Sequence, residues 1–229
     1  MKPAQILLAA MALLFACETE DLRFSHIPKA DRFKDTQPIS TLGTVSAVGT
    51  CNFTGIAAIP GTWTLLLDEQ FSSLNNWNIW SGGAYNNELQ LYKQANLVLA
   101  GGNLSIVAKK ETATGPTTPG STTNKTFNYT SGRIESKTLF SANSTNPKIR
   151  MVARIKLPAG YGMWPAFWSY GDPWPVQGEI DILEAKGQEP STYYTNYFYG
   201  TVAGKSLVSG ATTTINSSVS LQSLSLIHI

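Results

Sequence analysis

The segment Gly178-Glu179-Ile180-Asp181-Ile182-Leu183-Glu184 places three carboxylates within six residues, spaced by aliphatic side chains. On a β-strand Glu179 and Asp181 point to one face while Ile180 and Ile182 point to the other. Strict alternation sends Glu184 to the apolar side. One extra residue around Ile182-Leu183, a β-bulge, returns Glu184 to the face of Glu179 and Asp181. Carboxylates about 7 Å apart repel by roughly 2 kcal/mol at an effective dielectric of ~20. That exceeds one pKa unit and pushes one carboxyl toward keeping its proton near neutral pH. A protonated carboxyl beside an ionised one is the arrangement that cleavage of a glycosidic bond needs, one group attacking and the other protonating the leaving oxygen. The same residues also read as an exposed acidic strand face that resists aggregation, or as a calcium site. Neighbouring aromatics favour the first reading. Tyr161, Trp164, Phe167, Trp168, Tyr170 and Trp174 crowd the 14 residues 161–174, and apolar sugar faces stack on such rings, although core packing claims some of them.

Composition narrows the alternatives. Charged residues are 14% of the 229, with Lys+Arg 17 against Asp+Glu 15 and a net charge of +2. No basic stripe is present, so nucleic acid is not an expected partner. The two histidines, His26 and His228, lie near the chain ends. That argues against a Ser-His-Asp triad, a His-Glu-x-x-His zinc site and a Cys-His pair. Cys17 and Cys51 are too few for a disulfide framework or a Cys-rich metal site. Cys51 reads as a small buried thiol. Carboxylates, amides and aromatics are left to carry any chemistry.

From Trp63 onward the elements that must position these groups read as strands. Ile149, Met151, Ala153, Ile155 and Leu157 alternate with mostly basic residues, the pattern of a half-buried strand. Leu104–Lys109, Ser131–Phe140 and Thr192–Tyr199 read likewise, with turn clusters at 81–83, 101–103, 115–120 and 158–160. The expected fold is all-β, an antiparallel sandwich or barrel.

The chain ends differ from this middle. Residues 1–17 read as a secretion signal: Lys2, then the apolar run Ile6–Phe15, short of the roughly 20 residues a bilayer-spanning helix needs. The run closes on Leu14-Phe15-Ala16-Cys17, similar to a bacterial lipoprotein signal in which Cys17 carries the lipid. Export follows, to the cell envelope or beyond it, with membrane attachment only through that anchor. Residues 18–57 read as a flexible tether, spanning roughly 35 Å from about 5–6 Å times the square root of length. The last six residues, 224–229, match the translation of a common sequencing-library adapter, so they read as an artefactual tail.

The strand Glu-Ile-Asp-Ile-Leu-Glu, 179–184, resembles the catalytic E-x-D-x-x-E signature of glycoside hydrolase family 16, in its bulged form. Trp63-Thr-Leu-Leu-Leu-Asp-Glu, Asn86-Asn87-Glu88-Leu89-Gln90-Leu-Tyr, Thr130-Ser-Gly-Arg133-Ile, Arg154-Ile-Lys-Leu-Pro-Ala-Gly and Met163-Trp164-Pro-Ala-Phe-Trp168 resemble further blocks of that family, in order. The similarity covers about 62–200.

The resemblance implies a β-jelly roll of two curved antiparallel sheets with a concave cleft, and retaining cleavage of β-linked polysaccharide. It makes Glu179 the nucleophile, Glu184 the general acid/base and Asp181 a hydrogen-bonding neighbour that tunes the nucleophile. Asn87, Arg133, Trp164 and Trp168 would line the sugar subsites. Within the family the blocks look most like laminarinases, which cleave β-1,3-glucan. Those enzymes commonly carry a His-Trp pair on the strand after the catalytic one, whereas this chain reads Thr195-Asn196-Tyr197-Phe198-Tyr199. Mixed-linkage β-1,3-1,4-glucan therefore stays open. Some members bind a structural calcium, but Asp68-Glu69-Gln70-Phe71 departs from their usual Asp-Glu-Phe, and no cofactor is required on this reading. The family's jelly roll needs more strands after Tyr199 than the remaining 30 residues supply, so the domain at 58–223 is expected to be incomplete. The chain is expected to act as a monomer. The alternatives are a non-catalytic glycan-binding jelly roll and an inactive fragment of such an enzyme.

Overall fold

The computed structural model describes Leu7–Ala10 and residues 64–229, apart from 86, 146, 206–207, 210–212, 217–219, 223–224 and 229. Cys17, Cys51 and the expected tether at 18–57 lie outside the described residues. Two compact units divide the chain: Met1–Ala16 with Phe71–Ile229, and Cys17–Gln70. In the described part of the second, the Gln70 amide donates to Asp68 at 2.6 Å.

Among the described residues the first unit is built from strands, with a single 3-10 turn at Gln94–Asn96. No helix there is long and apolar enough to cross a membrane. The strands are β1 (Leu7–Ala10), β2 (Trp77–Ile79), β3 (Gln90–Tyr92), β4 (Leu97–Ala100), β5 (Asn103–Ile106), β6 (Ala113–Pro116), β7 (Asn124–Phe127) and β8 (Tyr129–Ser131). They continue with β9 (Ile134–Ser136), β10 (Val152–Ile155), β11 (Ala166–Tyr170), β12 (Glu179–Ala185), β13 (Thr192–Tyr199), β14 (Val208–Ser209), β15 (Thr213–Asn216) and β16 (Ser225–His228).

An eight-stranded antiparallel sheet runs β14-β13-β12-β11-β1-β9-β2, with β15 also on β13. The carboxylate strand β12 is interior to this sheet, its backbone fixed by ladders on both sides. Two-stranded ladders β10-β16, β3-β8, β4-β5 and β6-β7 make up the rest. Burial follows the expected alternation on β10 and its flanks. Ala153, Ile155 and Leu157 are buried while Ile149 and Met151 are half-buried.

One expectation differs in detail. The single strand expected over 131–140 is two short ones, β8 and β9, on either side of Gly132. A Cβ at Gly132 would meet Leu97 Cδ2 at 2.6 Å and Ile106 Cγ2 at 3.0 Å, so only glycine lets the β4-β5 hairpin pack this close. Leu7–Ala10, inside the segment read as a signal, pairs with β11 and β9. An apolar run of this length meets the requirement of a signal core and of a central strand alike. Ser225–His228, inside the expected tail, pairs with β10.

Candidate active site

The register of β12 with its neighbours carries the site. On one side Asp181 pairs with Asn196 and Glu184 with Tyr194, so three steps on β12 match two on β13. On the other side Trp168 pairs with Asp181 and Phe167 with Leu183. Both ladders place one extra residue in β12 at Ile182-Leu183. This is the bulge the spacing requires. Ile182 and Leu183 are both buried, 3% and 0% exposed, so the extra residue adds apolar burial while Glu184 turns back to the face of Glu179 and Asp181. Cross-strand pairing puts Trp168 and Tyr170 of β11 and Asn196 and Phe198 of β13 on that same face.

Before β12, the backbone at Gly178 takes φ +81°, a conformation that disfavours any side chain with a Cβ. Its N–H donates to Pro175 O at 2.9 Å, closing the loop that holds Trp174. The Asp172–Pro173 and Trp174–Pro175 peptide bonds are cis. From this loop the Trp174 indole N–H donates to Glu179 Oε2. After β12, Gly187 ties the loop that bears Trp164: its N–H donates to Met163 O at 2.9 Å and its carbonyl accepts from Gly160 at 3.0 Å. Trp164, 59% exposed, hydrogen-bonds Glu184. A Cβ on Gly187 would meet Gly160 O at 2.4 Å and Met163 Cβ at 2.7 Å. Gly187→Ala is therefore expected to cost about 1–3 kcal/mol of stability through overpacking. It should also shift Trp164 off Glu184, and urea midpoints read alongside turnover would check both effects.

All three carboxyls titrate above their ordinary range. Burial is the largest cause for Glu179, opposed by hydrogen bonds from Trp174 and Asp181 and by the Arg133 charge. Burial also leads for Asp181, followed by the charges of Glu184 and Glu179, and pushes it up to about 8. Burial and the Glu179 charge raise Glu184, against hydrogen bonds from Asn196 and Trp164. The Asn196 amide donates to Glu184 Oε2 at 2.5 Å. Three adjacent carboxyls with too little water to carry three charges keep protons among them, and Asp181 donates its proton toward Glu179.

Arg133 and Glu135 form a buried pair beside this face. Arg133 is 8% exposed and donates to Glu135 Oε1 through Nη2 at 2.7 Å and Nε at 3.2 Å. Its guanidinium lies over Trp80 at 3.9 Å and over Trp168 at 4.8 Å. Trp168 stacks on Tyr170 with centroids 5.2 Å apart, and the Tyr170 hydroxyl donates to Glu135 at 3.3 Å. The arrangement makes Arg133 a support for the Trp168-Tyr170 platform, with its charge already matched. Asn87 is exposed in the turn before β3, with φ +56°. Next to it Glu88 accepts from the Tyr92 hydroxyl at 2.5 Å and from Gln90 at 2.6 Å.

The sequence marks Trp174 and Tyr170 only as members of the aromatic cluster 161–174, and it assigns no site role to Asn196 or Glu135. Glu135 was within reach, because Arg133-Ile134-Glu135 alternates and so puts both charges on one face. The contact of Trp174 with Glu179 was not, since it depends on a loop without period. Among the described residues no group of three or more His, Cys, Asp or Glu side chains is arranged to hold a metal ion.

Residues 93–222, more than half of the chain, match the family model described as the XgeA-like, catalytic GH16 domain. The chain belongs to glycoside hydrolase family 16. It is 36% identical over 154 residues to a glucan endo-1,3-beta-glucosidase of Cryptopygus antarcticus, spanning 61% of this chain and 52% of that protein. Over 172 residues it is 30% identical to glucan endo-1,3-beta-glucosidase A1 of Niallia circulans, 67% of this chain and 24% of that one. The chain thus spans about half, or less, of the length of these relatives. Among solved structures it is similar to the endo-beta-1,3-glucanase of Pyrococcus furiosus, at 30% identity and TM-score 0.54, covering 72% of this chain and 66% of that one. The laminarinase catalytic domain of Thermotoga maritima matches at 27% identity and TM-score 0.57, covering 73% and 70%. The all-β fold is the family's β-jelly roll.

Proposed function

We propose that this family 16 protein is a retaining endo-β-glucanase whose first substrate is β-1,3-glucan, with mixed-linkage β-1,3-1,4-glucan second. The observation that carries the reading is the bulged strand β12, which gathers Glu179, Asp181 and Glu184 on one face and raises all three above the ordinary carboxyl range. Glu179, kept more acidic by Trp174 and Asp181, attacks the anomeric carbon as a carboxylate. Glu184 gives its proton to the leaving glycosidic oxygen as that C–O bond breaks. The product of this step is a glycosyl ester on Glu179 and a shortened chain with a new hydroxyl. Ionised Glu184 then takes a proton from water, whose oxygen forms the new bond to the anomeric carbon and releases Glu179. Asp181, holding its proton, donates to Glu179 and keeps the face from carrying three charges. Trp164, Trp168 and Tyr170 offer ring faces to the apolar sides of the sugars.

The linkage is supported by the similarity to glucan endo-1,3-beta-glucosidases. Export, with Cys17 as a lipid-bearing residue, is supported by the signal-like residues 1–17. Proton NMR of laminarin during the first minutes of digestion tests the mechanism. Retention requires the β-anomer of the new reducing end to appear first, followed by mutarotation. The α-anomer appearing first, or no reducing ends from either glucan, overturns the reading.

A further inference from the structure

Asn196 lies opposite Asp181 in the β12-β13 ladder, on the carboxylate face, one step from the bulge. Its Nδ2 donates to Glu184 Oε2 at 2.5 Å, and it also hydrogen-bonds Asp181. The amide therefore bridges two carboxyls whose own backbone positions are separated by the extra residue. A side chain with two N–H groups and no charge can do this at every pH.

We propose that Asn196 is a positioning residue that fixes the Glu184 carboxyl for proton transfer, a role that rests on Glu184 being the acid/base. Burial and Glu179 raise Glu184, and without an opposing donor it would hold its proton too tightly to hand over. The Asn196 N–H stabilises the carboxylate that remains after the proton has left. It stays in place for the second half-reaction, when the same carboxyl must accept a proton from water.

The other groups that act on this carboxyl are accounted for. Glu179 and Asp181 share its strand, and Trp164 approaches from the 160–163 loop side. Tyr194 is its ladder partner on β13, and the Tyr194 hydroxyl is engaged by Glu189 at 2.8 Å and Lys186 at 3.1 Å. Ala166 pairs with it from β11, where Tyr170 is the titratable group. Arg133 and Glu135 compensate each other at 2.7 Å. Of these neighbours Asn196 bridges Glu184 and Asp181 with a neutral donor.

The test titrates Glu184 directly in the full chain by carboxyl carbon-13 NMR and, in parallel, measures the pH profile of kcat/KM on laminarin. Removing the donor in Asn196→Ala should move the Glu184 titration upward by roughly one pH unit. The alkaline limb of the profile should rise with it, and kcat should fall about tenfold. Asn196→Asp keeps the shape and adds a nearby charge, so its shift should be larger in the same direction; this variant serves if the alanine protein fails to fold. A fall in kcat with the Glu184 titration and the alkaline limb unmoved overturns the proposal, because a merely structural residue would do that. If Glu184 shifts as expected but the unaltered protein releases no reducing ends, the positioning stands and the glucanase reading fails.

Discussion

Replacing Glu179 by Gln is expected to leave a protein that still binds glucan oligosaccharides but turns them over at least about 10⁴ times more slowly. The substitution keeps the shape of the side chain and its place on β12. On the proposed mechanism it removes the carboxylate oxygen that forms the glycosyl ester, and neither other carboxyl of that face is suited to replace it. Asp181 is 3% exposed and holds its proton, and Glu184 is needed to protonate the leaving oxygen. Burst kinetics with an activated aryl glucoside and calorimetry with laminari-oligosaccharides separate turnover from binding. Residual hydrolysis within a hundredfold of the unaltered protein would reassign the nucleophile. A parallel loss of binding would mean instead that the amide had displaced Trp174, whose indole N–H donates to Glu179.

The second large effect is on stability. Asp181 titrates near 8 in the folded protein against an ordinary value of 3.8, with burial the first cause and the charges of Glu184 and Glu179 next. Between those two values the folded chain holds a proton that the unfolded chain has lost. Stability is therefore full below the ordinary carboxyl range and falls as pH rises toward 8. Glu179 and Glu184 shift in the same direction and add to the decline. Asp181→Asn removes the ionisation while retaining an N–H donor for Glu179. Its unfolding free energy from urea denaturation should exceed that of the unaltered protein at pH 8 by about 2–4 kcal/mol, and the two should converge near pH 4. Turnover should fall by roughly 10–100-fold, because an amide donates to Glu179 less strongly than a carboxyl proton does. A variant with the same stability slope between pH 4 and 8 would show that Asp181 is not the group holding the proton.

These predictions rest on features that differ in how far sequence carries them. The bulge was legible because Glu184 has the wrong parity for a regular strand: three carboxylates at positions 179, 181 and 184 share a face only if one residue is extra. Its location was equally legible, since Ile182 and Leu183 are the two apolar neighbours that a core can absorb together, and both are buried. Strand β13 was readable as a whole from Thr192–Tyr199, yet the role of Asn196 was not. An asparagine in a strand carries no periodic signal, and its partners are set by a register offset two strands wide. Arg133 is expected at a sugar subsite, and its guanidinium also meets Glu135, Trp80 and Trp168, partners from separate segments of the chain that no local pattern connects. Loop contacts were the least legible: Trp174 belongs to a visible aromatic cluster, but it reaches Glu179 from a segment with no period to show where its ring goes.

The donors that touch the three carboxyls are two indoles, one amide and a neighbouring carboxyl proton, all uncharged. The cations recorded nearby, Arg133 and Lys186, are each matched by a glutamate. An anionic polymer carrying sulfate esters or uronic acids would meet repulsion and a desolvation cost at such a face. On the proposed function the same wall would act as a charge filter. Neutral glucans should cross it at little electrostatic cost, added salt should leave their affinity nearly unchanged, and sulfated or uronate-rich polymers should bind more weakly.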